Sequence, residues 1–229
     1  MNREPVFDRP LGWMHAGYLA TVVSLDDPDQ RNRVQVRLVA FDGVDKQDAP
    51  MWARVVAPFA GSDRGVFFLP DVDDEVLVVF MNGDARFPLI LGGLWNGNAS
   101  APADIESGGI NRYKRIKSRN GVVITLDDQQ GQETLKLETP GGQKITLQDG
   151  PGTVLVEDSS GNSIKLESAG ITVNASAKVT VTASQLAITA GMVTVDAGMS
   201  KFSGVVQADT VISNSVVSAS YTPGAGNIW

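Results

Sequence analysis

The sequence contains no cysteine and a single histidine, His15, among its 229 residues. The absence of cysteine excludes disulfide bonds, thiolate metal sites and a cysteine nucleophile. One histidine without a nucleophile and an orienting acid does not make a catalytic constellation. We therefore predict that the protein is not an enzyme, and that it has no catalytic residue, no metal site and no cofactor.

The sequence also lacks any long apolar run. Its first residues, MNREPVFDRPLGWMHAGY, contain no apolar core of signal-peptide length, and no later stretch approaches a membrane span. We therefore expect the protein to be made in the cytoplasm without a signal peptide. Positive charge is scarce as well: 19 Lys and Arg stand against 26 Asp and Glu, and the net charge of −7 disfavours nucleic acid as a partner.

Charge of either sign is nearly missing from one part of the chain. Residues 168–229 carry four charged side chains and consist mostly of Ala, Ser, Thr, Val and Gly. Residues 1–97, in contrast, hold three of the four tryptophans. This uneven composition predicts a compact N-terminal domain and a repetitive region, joined at the stretch NGNASAPADIESGG at 96–109, which is rich in Gly, Pro, Ser and Ala.

Six runs of β-forming residues precede that stretch. They lie at 16–25, 33–41, 51–59, 65–70, 75–81 and 88–95. Turn sequences such as DDPD and NGD separate them, and no segment shows helical periodicity. The pattern predicts an all-β fold with a closed OB-type barrel at 17–97 and a linker at 98–115. The aromatic residues mostly fall within these runs, so we expect most of them in the barrel core.

From residue 124 onward the sequence repeats a short phrase, in which one spacer separates two apolar residues. In a strand the two apolar side chains share one face, while the spacer points away from it. A triplet of this size cannot bury itself, so copies must stack into a continuous core. The predicted core residues are Ile124, Leu126, Leu135, Leu137, Ile145, Leu147, Val154, Val156, Ile164, Leu166, Ile171, Val173, Val179, Val181, Leu186, Ile188, Val193 and Val195.

The spacing of the triplets shrinks along the chain. Their first residues are separated by steps of 11, 10, 9, 10, 7, 8, 7 and 7, because turn insertions such as TPGG give way to ASA, AS and AG. A self-sufficient solenoid keeps a strict period. The pattern therefore favours three chains wound into a tapering triangular prism, each face of which alternates strands from all three chains. We predict an intertwined homotrimeric β-helix, a β-prism needle, at 116–229; a single-chain solenoid is the alternative.

Several motifs occur in a fixed order along the chain. They are the strand MWARV, the sequence DVDDEVLV after an aromatic–proline turn, the NGD hairpin, the closing GGLWNG, and then IKSRNGVVITLDD and LETPGGQKITL after the linker. Together they resemble the contractile-tail spike proteins, namely the phage baseplate assembly protein V group and the VgrG proteins of type VI secretion. The resemblance runs from about residue 17 and implies an OB-fold followed by a trimeric β-prism.

The resemblance also implies a function. The protein would be the central spike of a contractile injection system, part of a phage tail or of an injection particle released from the cell. Contraction of the sheath would drive the tube, its cargo and this spike through a target-cell envelope, which the spike contacts transiently. A separate baseplate hub protein is expected at the N-terminal segment 1–16. Some family members hold iron with an H-x-H pair, which is missing here.

The sequence YTPGAGNIW departs from the rhythm of the repeat. In spike proteins of this family that lack a metal tip, a separate PAAR-like tip protein caps the needle. An apolar residue pair exposed to water at this place suggests a docking platform for such a cap. The candidate cap-docking residues are Tyr221, Pro223, Ile228 and Trp229.

Other interpretations fit parts of the sequence. An OB-fold binding module for single-stranded nucleic acid or sugar, on a β-solenoid stalk, would need exposed aromatics and a basic groove. A polysaccharide-degrading β-helix would need longer coils and clustered acids. We expect the basic run RYKRIKSR at 112–119 to contact a neighbouring chain or partner at the start of the shaft. The acidic sequences at 26–29 and 71–75 lack the ligand spacing of a calcium loop and are expected to be solvated turns.

Overall fold

A computed structural model describes residues 14–41, 43 and 49–219. Its secondary structure is almost entirely β, with two short 3₁₀ turns at Val39–Phe41 and Met81–Gly83. The described residues include no helix with the length and hydropathy needed to cross a membrane. The predicted all-β class is confirmed.

A closed five-stranded barrel forms the N-terminal part of the molecule. The strands here are β1 (Tyr18–Ser24), β2 (Val34–Leu38), β3 (Met51–Val55), β4 (Ala60–Gly61), β5 (Arg64–Gly65), β6 (Glu75–Phe80) and β7 (Pro88–Leu94). The barrel order is β1, β2, β3, β7, β6, and every pair is antiparallel except β3 with β7. This is an OB-like arrangement, and β6 and β7 form the hairpin predicted from the NGD sequence.

Small and branched apolar side chains fill the barrel. In β2 and β6 every second side chain is buried, because successive strand residues point to opposite faces. At one end Tyr18 meets Phe80 edge to face, with 5.6 Å between the ring centroids. The side chains with no exposed surface are Ala20, Val22, Val34, Val36, Ala53, Val76, Val78 and Ile90.

One predicted run, 65–70, forms no barrel strand. Gly65 ends the small β4–β5 hairpin with a φ of 151°, and a Cβ at this position would lie 2.9 Å from the carbonyl oxygen of Phe59. The chain then runs outside the barrel until β6 begins at Glu75. The expectation of mostly buried aromatics is wrong for five side chains, which are 52% to 70% exposed: Phe59, Phe67, Phe68, Phe87 and Trp95.

The strand pairing brings five strand ends together at one end of the barrel, which we call the exit end. These strand ends are Ser24, Val34, Val55, Glu75 and Leu94. The chain leaves the barrel here toward a second sheet. Two contacts connect this end to the following residues: Asn96 Nδ2 donates to Glu75 Oε2 at 2.8 Å, and Arg119 Nη1 lies 3.7 Å from Asp71 Oδ1.

The second sheet has seven strands in sequence order. They are β8 (Tyr113–Lys117), β9 (Val123–Asp127), β10 (Thr134–Glu138), β11 (Lys144–Gln148), β12 (Thr153–Glu157), β13 (Ser163–Glu167) and β14 (Gly170–Asn174). Consecutive strands pair antiparallel, so the sheet is a meander. Its first strand begins inside the range 98–115 that was predicted as a linker.

This pairing differs from the prediction that each face alternates strands from three chains. From β9 to β13, both neighbours of every strand belong to the same chain. The physical reason lies in the connections, which shorten from 118–122 to 168–169 and reverse the chain directly. Each of the first five contains one glycine with positive φ, and the sixth is followed directly by one; φ lies between 62° and 132° at Gly121, Gly131, Gly142, Gly150, Gly161 and Gly170.

In-chain strand pairing ends at Asn174. The described residues from 175 to 219 contain no strand. The chain divides into two units, at 1–179 and 180–229, so the barrel and the whole meander belong to the first.

Candidate trimer interface

Two columns of apolar side chains cross one face of the meander. The register places Leu135 opposite both Leu126 and Leu147, and it continues in the same way from strand to strand. One column contains Leu126, Leu135, Leu147, Val154, Leu166 and Ile171. The other contains Ile124, Leu137, Ile145, Val156, Ile164 and Val173. Twelve of the predicted core residues therefore lie on a single face, which we call the apolar face.

A single chain leaves the apolar face uncovered. In β10–β13 its leucines, isoleucines and valines are 37% to 44% exposed, and Ile171 at the edge strand reaches 71%. Water-exposed apolar surface of this extent and regularity marks an interaction site. Cross-strand neighbours cover the sides of these side chains, but nothing in the described part of the chain covers their tips. The face requires a second apolar surface.

The opposite face of the meander is polar. Lys144 Nζ lies 3.2 Å from Glu157 Oε1 across the β11–β12 pair, and Lys165 Nζ lies 2.6 Å from Glu167 Oε2 within β13. Such partly exposed ion pairs add little stability, but they keep this face hydrated. The two faces therefore have opposite chemistry, as the alternation in the sequence predicts.

The other six predicted core residues lie outside the sheet. Val179, Val181, Leu186, Ile188, Val193 and Val195 are 60% to 70% exposed. They belong to the strand-free residues after Asn174, so the structure does not bring them into the two columns. Their place in a trimer core remains a prediction. The predicted cap-docking residues Tyr221, Pro223, Ile228 and Trp229 lie outside the described residues.

One member of the apolar face was not among the predicted core residues. Ile116 in β8 pairs with Ile124 and extends the second column by one strand, with 48% of its surface exposed. The surrounding basic residues obscured it, because they were interpreted as a charged run at the start of the shaft. Within the run Ile116 stands alone as an apolar residue between Arg115 and Lys117, so no apolar–polar alternation marks it, and only the strand pairing with Ile124 shows its place.

The basic run 112–119 finds several of its partners inside the same chain. Arg112 pairs with Asp127 and also donates to Gln129 Oε1 at 2.6 Å, while Lys114 pairs with Asp128. The hydrogen bond from Arg112 lowers the pKa of Asp127 below its ordinary value, and the same contact raises the pKa of Arg112. These charges hold β8 against β9, so a contact with another chain is not needed to explain Arg112 and Lys114.

Two family models match the chain, one on each side of the linker region. Residues 18–95 match the type VI secretion system/phage-baseplate injector OB domain. Residues 134–199 match the phage baseplate V C-terminal trimerisation domain. The first range coincides with the barrel strands, and the second covers β10–β14 and part of the strand-free segment. The second match supports a homotrimer.

Curated relatives point to the same group of proteins. The spike protein VgrG1c of the Pseudomonas aeruginosa type VI secretion system is 26% identical over 129 residues, 53% of this chain and 18% of the relative. VgrG3 of Vibrio cholerae is 32% identical over 89 residues, 38% of this chain and 9% of the relative. The actin cross-linking toxin VgrG1 of V. cholerae is 26% identical over 143 residues, 58% of this chain and 12% of the relative.

The alignments thus span 9% to 18% of the length of these three relatives. The chain therefore matches only a small part of each of these longer proteins. The two matched family models cover the barrel strands and β10–β14 of the second sheet. The chain therefore belongs to the phage baseplate V and VgrG-like family of contractile-tail spike proteins.

Proposed function

We propose that three copies of this chain form the central spike of a contractile injection system, and that the spike pierces a target envelope when the sheath contracts. The observation that carries this proposal is the uncovered apolar face. Three such faces turned inward enclose a dry core, and the three polar faces turn outward to water. Each chain then supplies one whole wall of a triangular prism along β8–β14.

In the proposed shaft, strand pairing changes from within one chain to between chains after Asn174. The six hairpin turns before this residue each contain or directly precede a glycine with positive φ, and residues 175–190 contain no glycine. Without such turns the chain does not fold back on itself, so its apolar triplets pair with those of the other two chains. Interchain pairing satisfies the backbone amides without loops, and it produces a thinner rod. A rod that narrows toward its end and resists unravelling suits mechanical penetration.

The proposed partners are a baseplate hub, a tip protein and the inner tube with its cargo. A baseplate hub binds at the barrel end opposite the exit end, where Met81 and Phe87 are exposed. A PAAR-like tip protein binds at residues 221–229, and the inner tube and its cargo lie behind the hub. The two matched domains are an OB domain and a trimerisation domain, so we infer a structural role rather than catalysis.

The mass of the purified protein tests the proposal. Three chains of 24.3 kDa give a particle of about 73 kDa, which light scattering coupled to size exclusion measures directly. We expect this mass at all practical concentrations, because a single chain cannot cover its apolar face. A monodisperse particle with the mass of one chain would contradict the proposal and favour a single-chain solenoid.

A further inference from the structure

A cleft of about 840 Å³ opens at the exit end of the barrel. Three exposed arginines line it, Arg31, Arg54 and Arg64, together with the exposed rings of Phe67 and Phe68. Among the described residues, none of the three guanidinium groups has an ion-pair partner. The cleft therefore combines unpaired positive charge with uncovered aromatic surface.

The walls of the cleft are fixed before any partner arrives. On one side the buried carboxylate of Asp27 accepts hydrogen bonds from the backbone amides of Arg31 and Arg33, at 3.0 and 3.1 Å. On the other side Gly65 closes the β4–β5 hairpin, in a conformation that leaves no room for a Cβ beside the Phe59 carbonyl. A pre-formed surface loses little entropy on binding, so the cleft suits a docking role.

A segment that complements the cleft lies in the same chain. The sequence APADIES at 101–107 carries Ile105, which is 72% exposed, between the acidic residues Asp104 and Glu106. This segment does not line the cleft of its own chain. It is held toward the second sheet, because Arg115 Nη1 donates to the Pro102 carbonyl at 3.0 Å and Arg112 Nη1 lies 3.6 Å from Glu106.

We propose that the cleft of each barrel binds the 101–107 segment of the neighbouring protomer in the trimer. Ile105 packs against Phe67 and Phe68, and the carboxylate of Asp104 faces the arginines. The inference rests on the proposed homotrimer, which brings three clefts and three segments to the same level, at the start of the shaft. A head-to-tail contact of this kind closes into a ring under three-fold symmetry, and it ties the barrels into a collar.

Nucleic acid fits the same cleft less well. An acidic turn with Asp71, Asp73 and Asp74 directly follows the cleft residues, and Asp63 lies in the cleft wall itself. These carboxylates repel a polyphosphate chain, whereas the 101–107 segment brings only two carboxylates, and that of Glu106 lies beside Arg112 of its own chain. The net charge of −7 acts in the same direction.

Because the chain contains no cysteine, two engineered thiols can test this contact. The variant Phe67→Cys with Ile105→Cys, treated with a short bis-maleimide, is expected to give a covalent trimer on a denaturing gel. The matched control is Phe87→Cys with Ile105→Cys, because Phe87 is an exposed ring at the opposite end of the barrel. The control is expected to remain a single chain on the gel. Arg64→Glu should lower the cross-linking yield several-fold, and added Asp104→Arg should restore it.

Light scattering of the same variants tests the homotrimer separately from the contact between each cleft and the neighbouring 101–107 segment. A native trimer that gives no cross-link between chains, or only links within a chain, overturns the collar but leaves the proposed spike intact. A monomer overturns both. A labelled single-stranded oligonucleotide provides the remaining comparison: binding to the intact trimer that Arg64→Ala removes would overturn the peptide-docking proposal in favour of nucleic acid.

Discussion

One buried carboxylate organises the loop between β1 and β2. The side chain of Asp27 is 3% exposed and accepts hydrogen bonds from Nε and Nη2 of Arg33, at 3.0 and 2.6 Å. It also accepts hydrogen bonds from three backbone amides of the loop. The expectation that the acids at 26–29 are solvated is therefore wrong for Asp27. Its partners hold its pKa well below the ordinary value of 3.8, and the side-chain bond from Arg33 has the largest effect.

Replacing this carboxylate should loosen the loop. Asp27→Asn keeps the size of the side chain but loses the paired, charged contact with Arg33, so we expect the melting temperature of the barrel to fall by several degrees at pH 7. Asp26→Asn, a neighbour with an exposed side chain, is the control and should have no effect. Tryptophan fluorescence during thermal unfolding measures both, because Trp52 lies beside Arg33.

The effect should also depend on pH. A carboxyl group whose pKa is lowered by folding stabilises the protein fully above its unfolded pKa, near 3.8, and this contribution is lost as the pH falls toward the folded value. The difference between the original chain and Asp27→Asn should therefore shrink below about pH 4. A difference that stays constant down to pH 2 would contradict the assigned role.

Turn glycines offer a second test at single positions. Gly161 has a φ of 85° and Gly152 does not have a positive φ, yet a Cβ at either position would meet no atom within 4 Å. Only backbone conformation distinguishes the two. We expect Gly161→Ala to cost about 1 kcal/mol per chain, whereas Gly152→Ala should be neutral or slightly stabilising. Denaturant unfolding of the trimer measures the difference, and equal effects would mean that the turn conformation is not required.

At the scale of elements, the sequence predicted correctly which side chains share a face of each strand, but not which strands pair with one another. Alternation is local, because a strand has a period of two residues, and the apolar triplets from Ile124 to Val173 do share one face. Which strands pair depends on whether each turn reverses the chain, and the triplet pattern does not contain this information. The glycines in the turns did indicate that the chain reverses direction, but they were interpreted only as parts of turn insertions.

The exposed rings at the exit end were missed for a related reason. Phe67 and Phe68 fall in a run of apolar residues, and a short apolar run predicts a buried strand. The neighbouring Gly65 and Pro70 interrupt strand geometry on both sides, so the rings remain outside the barrel. Ile116 shows the opposite error, because a single apolar residue among cations was not included in the predicted apolar core.

A pair of substitutions on one strand tests the assignment of the faces. Leu147→Asp puts three carboxylates into the proposed dry core, where an unpaired charge costs about 3–5 kcal/mol per copy, so the trimer should dissociate or fail to form. Thr146→Asp places the same charge on the polar face, beside Lys136 of the adjacent strand, and should leave the trimer intact. Light scattering measures both variants. Equal behaviour would show that the apolar face does not lie inward.

At the scale of the whole molecule, composition and period were sufficient to predict two parts with different construction. The residue at which in-chain strand pairing stops was not predictable, because the triplet pattern continues beyond it. Among the described residues, the last strand ends at Asn174. The predicted apolar layers end at Val195, and the residues beyond it belong to none of them.

Residues 221–229 follow the predicted apolar layers in the sequence. If they form a docking platform, deleting 226–229 should leave a trimer of unchanged mass and abolish capture of a PAAR-like tip protein. Three Trp229 side chains near one axis could each bury about 150–250 Å² against a cap, which corresponds to roughly 4–6 kcal/mol per side chain before ordering costs.

A pull-down of the tip protein measures capture, with Asn227→Ala as the control that keeps Ile228 and Trp229. The predicted apolar layers all precede residue 221, so the deletion removes none of them. Capture by the shortened trimer would contradict the platform. Loss of the trimer itself would instead make these residues part of the shaft, because only a segment that contributes to the shared core can hold the three chains together.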